Sequence, residues 1–203
     1  MKKSPAKNLG YDFSYEVAYS GIPVIATYYN GRIKIVVKDG KANITRQFWK
    51  IAGQLKEHME RIGETNVSFL GEVCILDQSQ RSRLPKKDEE NLAWLVIHDV
   101  SKPFDYNHRR SWLEANFMRK RLENIGLSWR YDDYETAWNR VRKYDLGGLI
   151  AKGKHTMFGD KEGFIKMINK AQNKAVKFTH LVRRRRKVAD RIYGGASLYD
   201  RGF

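Results

Sequence analysis

A chain of 203 residues with 41% hydrophobic content is long enough for one large domain with a real core. It carries 39 Lys and Arg against 23 Asp and Glu, a net charge of +16 and a pI near 9.9, a balance that attracts phosphate polyanions, nucleic acid ahead of an anionic membrane surface. Cys74 is the only cysteine, which excludes a disulfide framework and a Cys-based zinc site, and no run approaches the roughly 20 apolar residues of a membrane span.

Residues 1–10 are basic, lack a leader-length apolar run and read as a flexible arm. Residues 11–19 place Tyr, Phe, Tyr, Val and Tyr at odd positions, the period of a strand. Residues 22–48 read as two consecutive hairpins: Asn30-Gly31 and Asp39-Gly40 tolerate positive φ, and the run between them is rich in β-branched residues. In residues 48–62, Phe48, Ile51, Ala52, Leu55, Met59 and Ile62 recur at helical spacing, and Gly63 closes that helix.

Residues 66–76 form the next expected strand, and residues 78–90 a long polar loop. Residues 91–100 read as a buried strand. A helix is expected over 107–125, with Trp112, Ala115, Met118, Leu122 and Ile125 on one face and Arg109, Arg110, Arg119 and Arg121 elsewhere. A second is expected over 131–144, carrying Tyr134, Ala137, Trp138 and Val141. Beyond residue 173 the chain is strongly basic: residues 174–192 suit a basic helix, and Arg183, Arg184, Arg185, Arg186 and Lys187 are consecutive cations suited to a phosphate backbone. After Tyr193-Gly194-Gly195 a flexible end is expected, with Tyr199 and Phe203 able to dock on a partner.

Several short strings, taken in order, resemble the motifs of the covalent nucleotidyltransferases, the superfamily of ATP-dependent DNA ligases, RNA ligases and mRNA capping enzymes. Ala26-Thr27-Tyr28-Tyr29-Asn30-Gly31 is similar to the strand and turn bearing Lys-x-Asp-Gly, and Thr45-Arg46 to the Ser-Arg pair after the next hairpin. Leu70-Gly71-Glu72 resembles Asp-Gly-Glu. His98-Asp99 sits where a Phe-x-Asp-rich strand stacks on the base, and Arg110 and Leu113-Glu114 follow in the family order. Gly147-Gly148-Leu149-Ile150-Ala151-Lys152 resembles the Glu-Gly motif ending in lysine. Lys166 and Ile168 stand where two lysines flank the α-phosphate.

The resemblance implies an α+β ligase-type adenylyltransferase fold over residues 11–173, mainly antiparallel sheets flanked by helices around a central cleft, without the OB domain of most DNA ligases. It implies a pocket remnant of Gly31, Arg46, Glu72, His98, Lys152 and Lys166. Tyr28 and Asn30 replace the lysine and aspartate of the nucleophile motif, and Leu70 and Gly147 replace two further carboxylates. Nucleotidyl transfer needs a nucleophile and a carboxylate-bound metal, so the expectation is a pseudoenzyme with no metal and no cofactor, ATP and Mg entering only if the pocket still functions. DNA or RNA is the expected partner, bound through Arg46, Lys174, Lys177 and the cations at 183–187, within a soluble intracellular complex of the cytoplasm, nucleoid or organelle matrix, a phage or organelle protein included. Two alternatives stay open: an active minimal ligase whose nucleophile has moved to Lys34 or Lys152, and an adaptor for an acidic protein.

Overall fold

The alternating strands sort into two sheets. The computed structural model describes residues 12–40, 42–78, 81–118, 122–160 and 164–168. Sheet A is antiparallel in the order β10-β9-β1-β8, where β1 is Phe13–Ala18, β8 Arg130–Tyr131, β9 Gly148–Gly153 and β10 Phe164–Ile168. Sheet B runs β3-β2-β4-β6-β7, from β2 (Ile22–Tyr29), β3 (Arg32–Val37), β4 (Asn66–Leu76), β6 (Trp94–Val100) and β7 (Ile125–Leu127); β5 (Ser82–Arg83) pairs with β4. Among the described residues only β6 and β7 pair in parallel. The mixed α+β class with antiparallel-dominated sheets matches the expectation.

The first hairpin forms as expected. Asn30 and Gly31 have φ of 45° and 76°, the two left-handed residues that a tight hairpin turn requires. The second does not: after Gly40 the returning chain makes one isolated bridge, Val36 to Asn43, and no strand. Instead the Thr45 hydroxyl accepts from Ile35 N–H at 2.7 Å and Ile44 N–H donates to Ile35 C=O, so a turn caps the β3 edge.

Helix α1 (Trp49–Arg61) buries Ile51, Ala52, Leu55 and Met59 at helical spacing. It packs on β3, covering the sheet B face that carries Ile22, Val24, Ala26, Tyr28, Ile35 and Val37. Helix α3 (Tyr134–Lys143), capped by Asp133 accepting from Thr136 N–H, sets Ala137 and Val141 on sheet A.

Helix α2 (Tyr106–Phe117) differs from the expected 107–125. Asp105 caps its start and it ends at Phe117; Ile125 belongs to β7, drawn into register beside Leu95. Its buried face is Tyr106, Arg109, Arg110, Leu113 and Phe117, while Met118 and Ala115 are exposed. Two arginines stand where the apolar period called for side chains of another face, because buried carboxylates await them. No helix among the described residues is long and apolar enough to cross a membrane.

Candidate functional site

Strand β1 runs through the middle of sheet A with all six residues buried. Its odd residues Phe13, Tyr15 and Val17 join the core beneath α3, so alternation turns Glu16 toward sheet B and α2. A fully buried carboxylate survives only with partners, and Glu16 has five. The Tyr106 hydroxyl donates to Oε1, the Ser128 hydroxyl to Oε2 at 2.6 Å, and Arg110, His98 and Lys152 approach within 3.3, 3.4 and 3.5 Å. Burial opposes ionisation, but Lys152, His98 and Arg110 outweigh it and hold the Glu16 carboxyl well below the usual range.

His98 reaches this point through a bulge. Leu70 pairs with Asp99 and Gly71 with Ile97, so His98 is the extra residue of β6 and its ring is re-aimed between the sheets. Nε2 meets Glu72 Oε2 at 3.1 Å, and Nδ1 faces Glu16 Oε2 at 3.4 Å, a charge contact without hydrogen-bond alignment. Burial alone would lower the imidazole pKa; the two carboxylates raise it instead, favouring the protonated ring.

A second cluster adjoins the first. Arg109 grips Asp99 through Nε at 2.8 Å and a second nitrogen at 3.2 Å. The Lys152 ammonium donates to His98 C=O at 2.6 Å and lies 3.5 Å from both Glu16 and Asp99. Arg110 also donates to Glu114 and to Ser128 C=O. Sheet A, sheet B and α2 are thus joined by one buried network in which carboxylates and cations neutralise one another.

Beside the network opens a cavity of about 190 Å³, lined by Pro23, Val24, Lys38, Leu70, Gly71, Glu72, His98, Asp99, Ile150, Lys152 and Lys166. Of the expected pocket residues, Glu72, His98, Lys152 and Lys166 gather here. Lys166 is half exposed, 3.9 Å from Glu72. Gly31, Arg46, Tyr28 and Asn30 do not. Tyr28 lies five residues along β2 from Pro23, about 17 Å at the strand rise, and its ring is buried on the opposite face, toward α1. Asn30 and Gly31 form the hairpin tip, and Arg46 is exposed in the turn before α1. Lys34 is on β3, about 13 Å from Lys38 at the cavity rim. Lys174, Lys177, Arg183, Arg184, Arg185, Arg186 and Lys187 lie outside the described residues.

The segment that lies against the Gly71-Glu72 and Gly147 positions is Ala18-Tyr19-Ser20-Gly21. Tyr19 N–H donates to Glu72 Oε2 at 2.6 Å. A Lys-x-Asp-Gly register laid on it keeps Gly21, with Ala18 at the lysine and Ser20 at the aspartate. A Cβ on Gly147 would meet Tyr19 C=O at 3.0 Å and Ala18 C=O at 3.1 Å, so backbone fills the place of a side chain there.

No protein-family model matches this sequence, and none of the curated proteins matches it. Solved structures do. The ligase domain of Mycobacterium tuberculosis LigD is similar at 17% identity and a TM-score of 0.61, over 77% of this chain and 54% of that one. The fold is that of a ligase nucleotidyltransferase domain. A Lig E DNA ligase, described as binding DNA with a minimal scaffold, matches at 12% identity and TM-score 0.54 over 83% and 67% of the two chains. An archaeal ATP-dependent RNA ligase matches at 12% and 0.53 over 97% and 60%. The chain spans about half the length of the LigD ligase domain.

The residues around the cavity do not fit a nucleoside triphosphate with its metal. The cavity is smaller than the roughly 300 Å³ at which ligand pockets begin. Glu16, Glu72 and Asp99 already face His98, Lys152, Arg109 and Arg110. Glu16, Asp99, Arg109 and Tyr106 escaped the sequence reading as site residues. The available signals were a Glu in the interior of an alternating aromatic strand, and adjacent arginines on the α2 face that repeats with Tyr106 and Leu113.

Proposed function

We propose that this chain is a nucleic-acid-binding protein on a ligase nucleotidyltransferase fold that performs no nucleotidyl transfer and serves as a structural or accessory subunit of a nucleoprotein complex. The observation that carries the reading is the self-neutralised network in the cleft. Lys152, the lysine that ends the Gly147–Lys152 string, directs its amine to His98 C=O, Glu16 and Asp99 and is almost fully buried. An amine engaged by three acceptors and buried between the sheets is not presented to a phosphate for attack.

Charge supports the polynucleotide half of the reading, and its distribution says where it acts. Of the 39 Lys and Arg, 18 fall outside the described residues, with only 3 of the 23 Asp and Glu, leaving the described residues near neutral at 21 against 20. The excess positive charge is carried chiefly by the sequence ends and by Arg119, Lys120 and Arg121. Retention of label from α-labelled ATP or GTP with magnesium or manganese, read on a denaturing gel and by mass spectrometry, tests the first half. The expected result is an unlabelled protein that binds duplex DNA or single-stranded RNA with affinity falling steeply as salt rises. Covalent label would overturn it and support the minimal-ligase alternative; Lys38, Lys152 and Lys166 are the amines lining the cavity, and mass spectrometry would identify the modified one.

A further inference from the structure

Strand β7 is the last of sheet B and β8 the last of sheet A, and Ser128-Trp129 joins the two. Leu95 N–H donates to Asn124 C=O and Ser128 N–H to Ile97 C=O, so alternate residues of this segment bond β6. Ile125 and Leu127 therefore turn their N–H and C=O groups to the outer edge, where no strand among the described residues meets them. A row of unpaired backbone groups of this kind is a template for a further strand. Between them stands Gly126. Its φ is not positive, and a Cβ there would meet nothing within 4 Å. Neither backbone conformation nor crowding within the chain calls for a glycine, and a glycine inside a strand often marks the close approach of another backbone.

Gly126 lines a groove of about 770 Å³, within the range of ligand pockets, together with Trp94, Phe117, Met118, Leu122 and Trp129. Met118 is 68% exposed. Of the charged groups in the lining, Arg110 and Glu114 pair with each other and Glu123 pairs with Lys50. Arg130 is half-buried, and its guanidinium has no hydrogen-bonded or ion-paired partner among the described residues. It is opposite Glu16 in the β1–β8 register, but the Glu16 oxygens are taken by Tyr106, Ser128, Arg110 and Lys152. The groove thus combines a free strand edge, an apolar wall and one cation that lacks a counterion.

We propose that this groove takes an extended peptide segment of a partner protein, added as an outer strand on the free edge of β7. Its apolar side chains pack against Trp94, Phe117 and Met118, and a carboxylate, from Asp, Glu or a chain end, meets Arg130. Main-chain bonds to the edge supply affinity, while the apolar wall and the arginine supply specificity. Free amide and carbonyl groups at strand spacing match a peptide main chain. A single arginine among apolar rings offers a polynucleotide no run of phosphate contacts. The inference adds a protein contact to the nucleic-acid reading above and does not depend on it.

To test it, displayed random peptides of roughly nine residues, longer than a typical strand, are selected on the full chain, and enriched sequences are synthesised for anisotropy titration. They should alternate apolar residues and carry an Asp, a Glu or a terminal carboxylate. N-methylation of alternate peptide residues should abolish binding at one parity and spare it at the other, since only one set of N–H groups faces β7. Gly126→Leu, whose Cβ has room in the free protein, should plug the groove and abolish binding. Arg130→Gln should weaken carboxylate-bearing peptides by about tenfold or more and leave their Asn or Gln analogues unchanged. Absence of enrichment, equal tolerance of methylation at both parities, or binding indifferent to Gly126→Leu overturns the proposal while the nucleic-acid reading stands. A single-stranded RNA whose binding, in place of any peptide's, is lost in Gly126→Leu also overturns it and assigns the groove to nucleic acid.

Discussion

Replacing Glu16 by Gln is the most direct probe of the buried network. The substitution keeps the side-chain shape and one acceptor oxygen, but it removes the charge that faces Lys152, Arg110 and His98. It also sets an amide donor against either the Tyr106 or the Ser128 hydroxyl, both of which donate to Glu16. Breaking a buried pair by removing one partner costs about 3–5 kcal/mol. For a chain of this size that lowers Tm by roughly 6–20 °C. Denaturant unfolding with an unchanged slope and a lower midpoint is the assay. A loss below about 1 kcal/mol, the range of exposed pairs, would refute the claim that the network clamps the sheets. The double variant Glu16→Gln/His98→Gln should cost less than the two singles together, because it removes an anion and a cation that face each other.

The same network sets a pH window. His98 has a raised pKa in the fold, so its contribution is complete below the unfolded value of about 6.5 and is lost as pH rises through the folded one. Glu16 has a lowered one, so its contribution is present above about 4.3 and is lost as pH falls. Unfolding free energy measured across pH should therefore decline on both sides of a mildly acidic plateau, and His98→Gln should remove the alkaline decline. Gly147→Glu, which restores a family carboxylate, should cost about 1–3 kcal/mol because its Cβ meets Tyr19 and Ala18 backbone; a stable variant would refute the crowding. Tyr28→Phe should leave nucleic-acid binding unchanged, since the ring is buried on the α1 face; a tenfold loss would return Tyr28 to the site. Neutralising Arg183, Arg184, Arg185, Arg186 and Lys187 to Gln should flatten the duplex salt slope by up to roughly 4.5.

The parts of the fold legible in the sequence are those that one local rule decides. Asn30-Gly31 specifies its hairpin, the 51–52–55–59 period specifies α1, and β4 keeps its expected bounds of Asn66–Leu76. What local rules could not reach is pairing across the chain. Asp39-Gly40 is as good a turn signal as the first, but the chain beyond it has edge contacts to make with Ile35 and forms no strand. Ile125 continues an α2-like period and is claimed by β6. At the cavity, motif order and fold bring Glu72, His98, Lys152 and Lys166 together, whereas strand parity sets Tyr28, an even residue of β2, on the face toward α1. Motif strings carry no parity, and Lys-x-Asp-Gly fits two turns of this chain in part.

Glu16 is the charge around which the cleft is held together. A cleft built to hold a polyphosphate presents cations to an anion that comes and goes. Here Lys152 and Arg110 meet a permanent anion from β1 instead, and His98 spans from it to Glu72. Each sheet contributes to both signs: sheet A brings Glu16 and Lys152, sheet B brings Glu72, Asp99 and His98. Glu16 faces Lys152 within sheet A and Glu72 faces His98 within sheet B, while His98 to Glu16 and Lys152 to Asp99 cross between the sheets, so the network ties their relative placement as well as contributing to stability.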